Sequence, residues 1–492
     1  MKQKSTNVWK WIAIAALCLL AAAAFLYIRS VAQCGALPAS MPAPTEAPTP
    51  ELTAEPTPAP TEEPTPAPTE EPTPEPTEEP TPEPTVEPAQ RTLSHPGYTP
   101  EQVIVLSRHN ARSALMGSKS TSRMATPHEW VQWSSSSGEL TVRGGTVETQ
   151  MGQYFRKWLE SEGTFPRNYR PANSSIRFYA NSKQRTMATA RFFAAGLFPL
   201  TNVSLETHTI FDWMDSVFAN HLTFFNAAYQ TAAEAAIREL HGDAIAALAD
   251  NFDVIAETID MKDSPAYRDG QLQNLDPNDY VITLEQHKEP KSSGSLNTMM
   301  SISDALILQY YEEPDAVKAA FGHDLTFGQW KQIAEVKGVW QDALYSTPLI
   351  AVNCAHPMLK EIWSEMNAKD RVFTFIGGHD TSLSAVLGAL GAEKYDLPDA
   401  IERTPVGSKL VICRWRSESG KLFYSADLVY PTARQQRGEE EVTLDNPPGI
   451  CPLRFSDLTP NEDGLYVGKE FTAHVKQAID EYDTLARMFP GR

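Results

Sequence analysis

From residue 91 onward the rhythm of apolar positions changes repeatedly, and those changes outline an α/β body. Short apolar runs at Val103–Leu106, Ile176–Ala180 and Arg371–Ile376 read as buried strands, with further strands at 409–415 and 422–429. Behind Leu140–Gly145, the residues Val147, Met151, Tyr154, Phe155, Trp158 and Leu159 recur at helical spacing, so this stripe is core. Helices are also expected over 186–195, from Thr381 onward and over 471–488. Between Asn226 and Thr347 the pattern differs: segments such as 232–248 and 298–311 read as helices without strand alternation between them. The expectation is an α/β fold. Its three-layer α/β/α core spans residues 91–225 and 348–492 around a mixed, mostly parallel central sheet, and a smaller α-helical cap, residues 226–347, is inserted in it.

Ahead of this body, Trp11–Ile28 is an unbroken apolar run preceded by Lys2, Lys4 and Lys10. Its length lies between a signal-peptide core and a spanning helix, and the basic flank favours a cytoplasmic N-terminus. Residues 1–40 are read as an export signal retained as a membrane anchor, with the rest of the chain outside the cell. The small residues of Ser30-Val31-Ala32 leave cleavage, and therefore secretion, as the alternative. Residues 41–90 carry an octad three times from Thr61 to Pro84, with Pro at every second or third place. Proline fixes φ and removes donors while the glutamates repel one another, so an extended stalk is expected, reaching on the order of 150 Å.

The net charge of −20 changes this picture little. Twelve Glu and no Lys or Arg fall within 41–90, leaving −8 for everything else, an ordinary acidic soluble balance. No basic stripe with interleaved aromatics appears, which argues against nucleic acid as a partner. The five Cys include no C-x-x-C pair, so neither zinc-site spacing nor a disulfide framework is expected.

Chemistry concentrates where predicted strands end. The first strand empties into Ser107-Arg108-His109-Asn110-Ala111-Arg112; the second runs into Asn181-Ser182-Lys183-Gln184-Arg185; the third into Gly377-Gly378-His379-Asp380. Guanidinium forks match phosphate oxygens in pairs, and strand-to-helix junctions of open α/β sheets bind anions. Taken alone, Arg-His-x-x-Arg reads equally as surface charge around a loop histidine. Three such junctions together favour a phosphate site, and the two glycines are expected to let the backbone turn tightly near a ligand.

On these residues the chain resembles the histidine acid phosphatases, a branch of the histidine phosphatase superfamily that includes glucose-1-phosphatases and phytases. The signature R-H-G-x-R-x-P corresponds to Arg108–Ala114 and the H-D pair to His379-Asp380, with further likeness at Tyr179–Thr186, Glu402–Pro405 and Asn446–Pro448. The resemblance implies catalytic roles for His109, as the nucleophile that takes the phosphoryl group, and for Asp380, as the acid to the leaving group. It implies phosphate binding by Arg108, Arg112, Arg185 and His379, with no metal, no cofactor and a small phosphate monoester as substrate. The bound phosphate is expected to raise the pKa of Asp380 and give an acidic optimum.

Departures bear on substrate. Asn110 replaces the signature glycine, as in the glucose-1-phosphatase type, and Ala114 replaces the proline. Leu115-Met116 stand where phytases usually carry Thr-Lys, which turns the expectation toward sugar phosphates, with inositol phosphates second. No gating carboxylate is evident around Thr209–Asp215. His128 and His208 are read as structural or surface residues, and Trp130 and Trp133 as packing. A catalytically silent binding protein and a phosphoglycerate-mutase-like phosphotransferase are the weaker alternatives.

Overall fold

Strand β1 (Tyr98–Arg108) is the axis of the central sheet because both of its faces are apolar. Val103 and Val105 enter one buried cluster and Ile104 and Leu106 another, as the two-residue period of a strand demands. The computed structural model describes residues 92–117 and 120–491; the expected anchor and stalk lie outside the described residues. Among the described residues no helix is long and apolar enough to cross a membrane.

Seven more strands join β1: β2 (Ile176–Ala180), β3 (Leu205–Glu206), β4 (Phe373–Gly378), β5 (Lys409–Ser417), β6 (Leu422–Tyr430), β7 (Gly449–Pro452) and β8 (Tyr466–Val467). Their order is β8-β6-β5-β1-β4-β2-β3, with β7 paired to β6. The sheet is mixed, as expected, but only β1, β4, β2 and β3 pair in parallel. Strands β5 to β8 make an antiparallel half that a mostly parallel sheet would not contain. The connection from Ser417 to Leu422 is a tight turn, far too short for the crossover that a parallel pair needs.

Helices α1 (Val142–Ser161) and α2 (Gln184–Leu197) cover one face, burying the predicted stripe of Met151, Tyr154, Phe155, Trp158 and Leu159 against Phe373, Phe375 and Trp415. The segment expected to form a cap contains α3 (Ala227–Ala246), α4 (Ala249–Thr258), α5 (Ser295–Glu312) and α6 (Phe327–Gln341). It also holds a hairpin, Tyr280–Thr283 against Lys291–Gly294, which the helical reading of this stretch missed. Helices α7 (Pro348–Met366), α8 (Asp380–Ala389) and α9 (Gly468–Met488) pack on the second face. The apolar cluster there runs on without a break into α3–α6.

α1 and α2 approach backbone to backbone. A Cβ on Gly152 would lie 2.2 Å from the Phe193 carbonyl oxygen, and one on Gly196 would lie 2.2 Å from that of Thr149. No rotamer relieves a clash with backbone, so Gly152→Ala is expected to destabilise by about 1–3 kcal/mol in urea unfolding. Gly328→Ala, in open space within the first turn of α6, is the contrast and should change stability by less than about 1 kcal/mol.

Candidate active site

Register brings the three sequence junctions together. Ser107 of β1 and Ala180 of β2 both lie opposite Gly377 of β4, so three parallel strands end side by side. Two backbone hydrogen bonds continue this alignment past the strand ends, from His109 N to Gly378 O at 3.0 Å and from Asn181 N to Gly377 O at 3.0 Å. His109 and His379 consequently face each other edge to face, their ring centroids 5.5 Å apart. The glycines do not make the expected turn. They are strand residues, and a Cβ on Gly378 would meet the Phe218 ring at 3.0 Å, so what they supply is room for packing.

Hydrogen bonds select the tautomers of both histidines. His109 Nδ1 lies 2.9 Å from the Asn110 carbonyl oxygen, which only accepts, so Nδ1 carries the proton and Nε2 keeps its lone pair. Asn181 Oδ1 accepts from Ser182 N and Asp215 N, which fixes its amide so that Nδ2 donates to His379 Nε2 at 2.7 Å. His379 Nδ1 is then a donor. Burial first, and then Arg185, hold both imidazoles well below the usual histidine range, so both are neutral at mildly acidic pH.

Beneath the loop that carries His109 lies an ion pair that sequence reading did not find. Lys409 Nζ contacts Glu148 at 2.9 Å with both side chains wholly buried, and Asn110 Nδ2 donates to the same carboxylate at 2.9 Å. Lys409 also donates to Ser107 Oγ and Gly407 O. Asn110, the residue after His109, is thereby tied to α1 and to β5. Its polar side chain was the available signal: an Asn replacing Gly in a buried loop needs partners.

The guanidinium groups of Arg108, Arg112 and Arg185 gather at the same strand ends, and each has a buried Nε without a hydrogen-bond partner. Their other nitrogens are engaged. Arg108 donates to Glu402 at 2.6 Å and meets Asp380 at 3.3 Å, Arg112 donates to Asp304 at 2.8 Å, and Arg185 donates to Gly138 O at 3.4 Å. Burial and Arg112 pull the Arg185 pKa down to about 10, still charged under all relevant conditions. Asp380, the first residue of α8, accepts from Thr381 N through Oδ1. Burial acts to raise its pKa, but Lys337 and Arg108 outweigh burial and hold it well below the usual carboxylate range. The sequence placed this group beside a phosphate and missed the lysine.

Asp304, Lys337 and Glu402 complete this cluster. Glu402 belongs to a stretch singled out in the sequence; Asp304 and Lys337 do not. A lysine in phase with Trp330, Ile333, Ala334 and Gln341 on the buried face of α6 was the legible signal. Glu289 is a further carboxylate in the field of Asp380 and Arg185, with its pKa raised by burial. His128 pairs with Asp260 and His208 with Glu206, while Trp130 and Trp133 pack against the core, all outside the cluster. Asp215 supports it indirectly, its carboxylate accepting from Tyr179 and its backbone N–H donating to Asn181 Oδ1. Among the described residues no group of three or more His, Cys, Asp or Glu is arranged to hold a metal.

Comparison with known proteins agrees with this geometry. The profile of the histidine phosphatase superfamily (branch 2) matches residues 101–426. A glucose-1-phosphatase of Salmonella typhimurium is 35% identical over 390 residues, covering 74% of this chain and 92% of the relative. One from Providencia rettgeri is 34% identical over 388 residues, covering 77% and 92%. The phytase AppA of Escherichia coli is 25% identical over 406 residues, covering 78% and 93%. In fold, the chain superposes on the apo phytase of Hafnia alvei with a TM-score of 0.71 at 24% identity, over 79% of this chain and 99% of that one. With its signature at the carboxyl end of β1 and its His-Asp pair at the end of β4, the chain belongs to the histidine phosphatase superfamily, branch 2, and is a phosphatase.

Proposed function

We propose that this protein is an exported acid phosphatase that hydrolyses small phosphate monoesters through phospho-His109, with sugar phosphates such as glucose 1-phosphate as substrates. The observation that carries the reading is the convergence of three guanidinium groups on the two neutral imidazoles: Arg108, Arg112 and Arg185 all act on His109 through their charge, and Arg112 and Arg185 on His379. Guanidinium forks match phosphoryl oxygens in pairs. Arg108, Arg112, Arg185 and His379 Nδ1–H hold the phosphate, and His109 Nε2 attacks phosphorus. As the P–O bond breaks, Asp380 gives its proton to the leaving oxygen. Water then attacks phosphorus, the P–N bond breaks, and Asp380 takes the water proton.

Substrate size follows from the charges at the mouth. A polyphosphate needs cations beyond those that hold the reacting group. Lys183 is already paired with Asp212, Leu115 is an exposed apolar residue, and Glu289, in the field of Asp380 and Arg185, adds no cation. The relatedness to two glucose-1-phosphatases supports the same choice. Residues 226–347 act in this reading as a cap that supplies Glu289, Asp304 and Lys337, and residues 1–90 export and tether the enzyme.

His109→Ala should abolish turnover and the acid-labile phosphate trapped on the wild type by rapid quench; residual activity at the wild-type level refutes the role of His109. Arg185→Ala should lower kcat/KM by about 10²–10³-fold, as loss of one charge-stabilising donor does. Phosphate release across glucose 1-phosphate, phytate, p-nitrophenyl phosphate and nucleotides should favour glucose 1-phosphate with an acidic optimum, because Asp380 must be protonated when the leaving group departs. A dominant rate on phytate reverses the substrate order.

A further inference from the structure

The phosphohistidine reading leaves Lys337 without a task, although its ammonium lies among the reacting groups. It is 3.0 Å from Asp380 Oδ2, 2.7 Å from Asp304 Oδ1 and 3.8 Å from Glu402 Oε1, and only 7% of its side chain is exposed. We propose that Lys337 is a positioning residue for this phosphatase: reaching from α6, it holds Asp380 by one carboxylate oxygen and governs how readily that group releases its proton to the leaving oxygen.

The geometry is rigid. One turn further along α6, Gln341 donates to Ser384, to Thr404 Oγ1 at 2.9 Å and to the Asp380 carbonyl oxygen at 3.3 Å, locking α6 to α8 and to the 402–405 loop. On the other side, Asp304 on α5 bridges Lys337 to Arg112 of the clamp. Asp380 Oδ1 is taken by Thr381 N, and Oδ2 is shared by Lys337 and Arg108. The acid is therefore fixed through both oxygens, and one of its two cations never touches phosphate.

Charge decides what this contact does. Lys337 is faced by Asp304 from α5, Asp380 from α8, Glu402 from the loop and Arg108 from β1; Tyr311 of α5 lies against Glu402. Burial and Arg108 disfavour its charge, but the three carboxylates outweigh them and keep it protonated. Asp380 in turn is faced by Lys337, Arg108 and His109, with Glu289 and Arg185 beyond. The ammonium thus favours the carboxylate over the acid. In the first step this makes the proton easier to lose to the leaving oxygen; in the second it keeps Asp380 able to take a proton from water.

The inference rests on the phosphohistidine reading, and its test begins from wild-type enzyme shown to trap phosphate on His109. The ratio of kcat/KM for glucose 1-phosphate to that for p-nitrophenyl phosphate follows the proton on Asp380, since nitrophenolate leaves without one while the clamp and His109 serve both substrates. In the wild type this ratio should fall above a midpoint pH. Removing a cation beside a carboxylate raises its pKa, so Lys337→Gln and Lys337→Met should move the midpoint up by about one pH unit or more, and Lys337→Arg should leave it near the wild type. Two neutral variants are used so that one folded protein, verified by thermal unfolding, suffices. An unmoved midpoint in the folded neutral variants, whether both substrates lose rate equally or neither does, overturns the proposal while the His109 phosphate trap stands.

Discussion

Burial of the Arg108 guanidinium is the constraint around which the site is built. At 1% exposure, a permanent cation at the end of a central strand must be paired, and the pairing must come from elements far away in sequence. Glu402 and Asp380 meet it directly; Lys337 then sits among those carboxylates and Asp304, and Asp304 reaches Arg112. The result is an array of three cations and three anions in which charge balances before substrate arrives. Arg185, whose only side-chain bond is a long one to a carbonyl, remains as surplus positive charge, which is what an incoming phosphate requires.

That array has a mechanical consequence. Arg108 joins β1 to the 402–405 loop, Asp380 opens α8, Lys337 belongs to α6 and Asp304 to α5, so the helical segment and the sheet share one electrostatic unit. The segment does more than overhang the sheet edge. It contributes Lys337 and Asp304, which meet each other, and Lys337 meets Asp380, so the inserted segment and the first turn of α8 share one electrostatic field.

A second buried pair governs the opposite side of the loop. Glu148 and Lys409 are wholly enclosed and hold Asn110, so the loop carrying His109 is braced from α1 and β5 below while the charge array braces Arg108 and Asp380 above. Separating such a pair leaves an uncompensated buried charge, a cost of several kcal/mol, about 3–5 in comparable cases. The tautomer of His109 depends on this bracing, since Nδ1 keeps the proton while the Asn110 carbonyl oxygen remains in reach.

Local pattern by itself determined much of this protein. Apolar runs and helical stripes located β2, β4, β5, β6, α1, α2, α8 and α9 to within about three residues, and the buried centre of β1 without its first residues, because burial of one face or two imposes a period that neighbouring positions must obey. Contiguous motifs likewise identified the family, and singled out Arg108, His109, Arg112, Arg185, His379 and Asp380, which the fold gathers at three strand ends. Tertiary structure alone decided the antiparallel half of the sheet, the hairpin within 226–347, the packing role of Gly377 and Gly378, and the partners Lys337, Asp304, Glu148 and Lys409. The ion-pair partners are contacts between distant positions: 192 residues separate Arg112 from Asp304, and 294 separate Arg108 from Glu402. Periodicity reports which side of a strand or helix is buried, but a charge on that side acquires meaning only when the fold shows which opposite charge it meets.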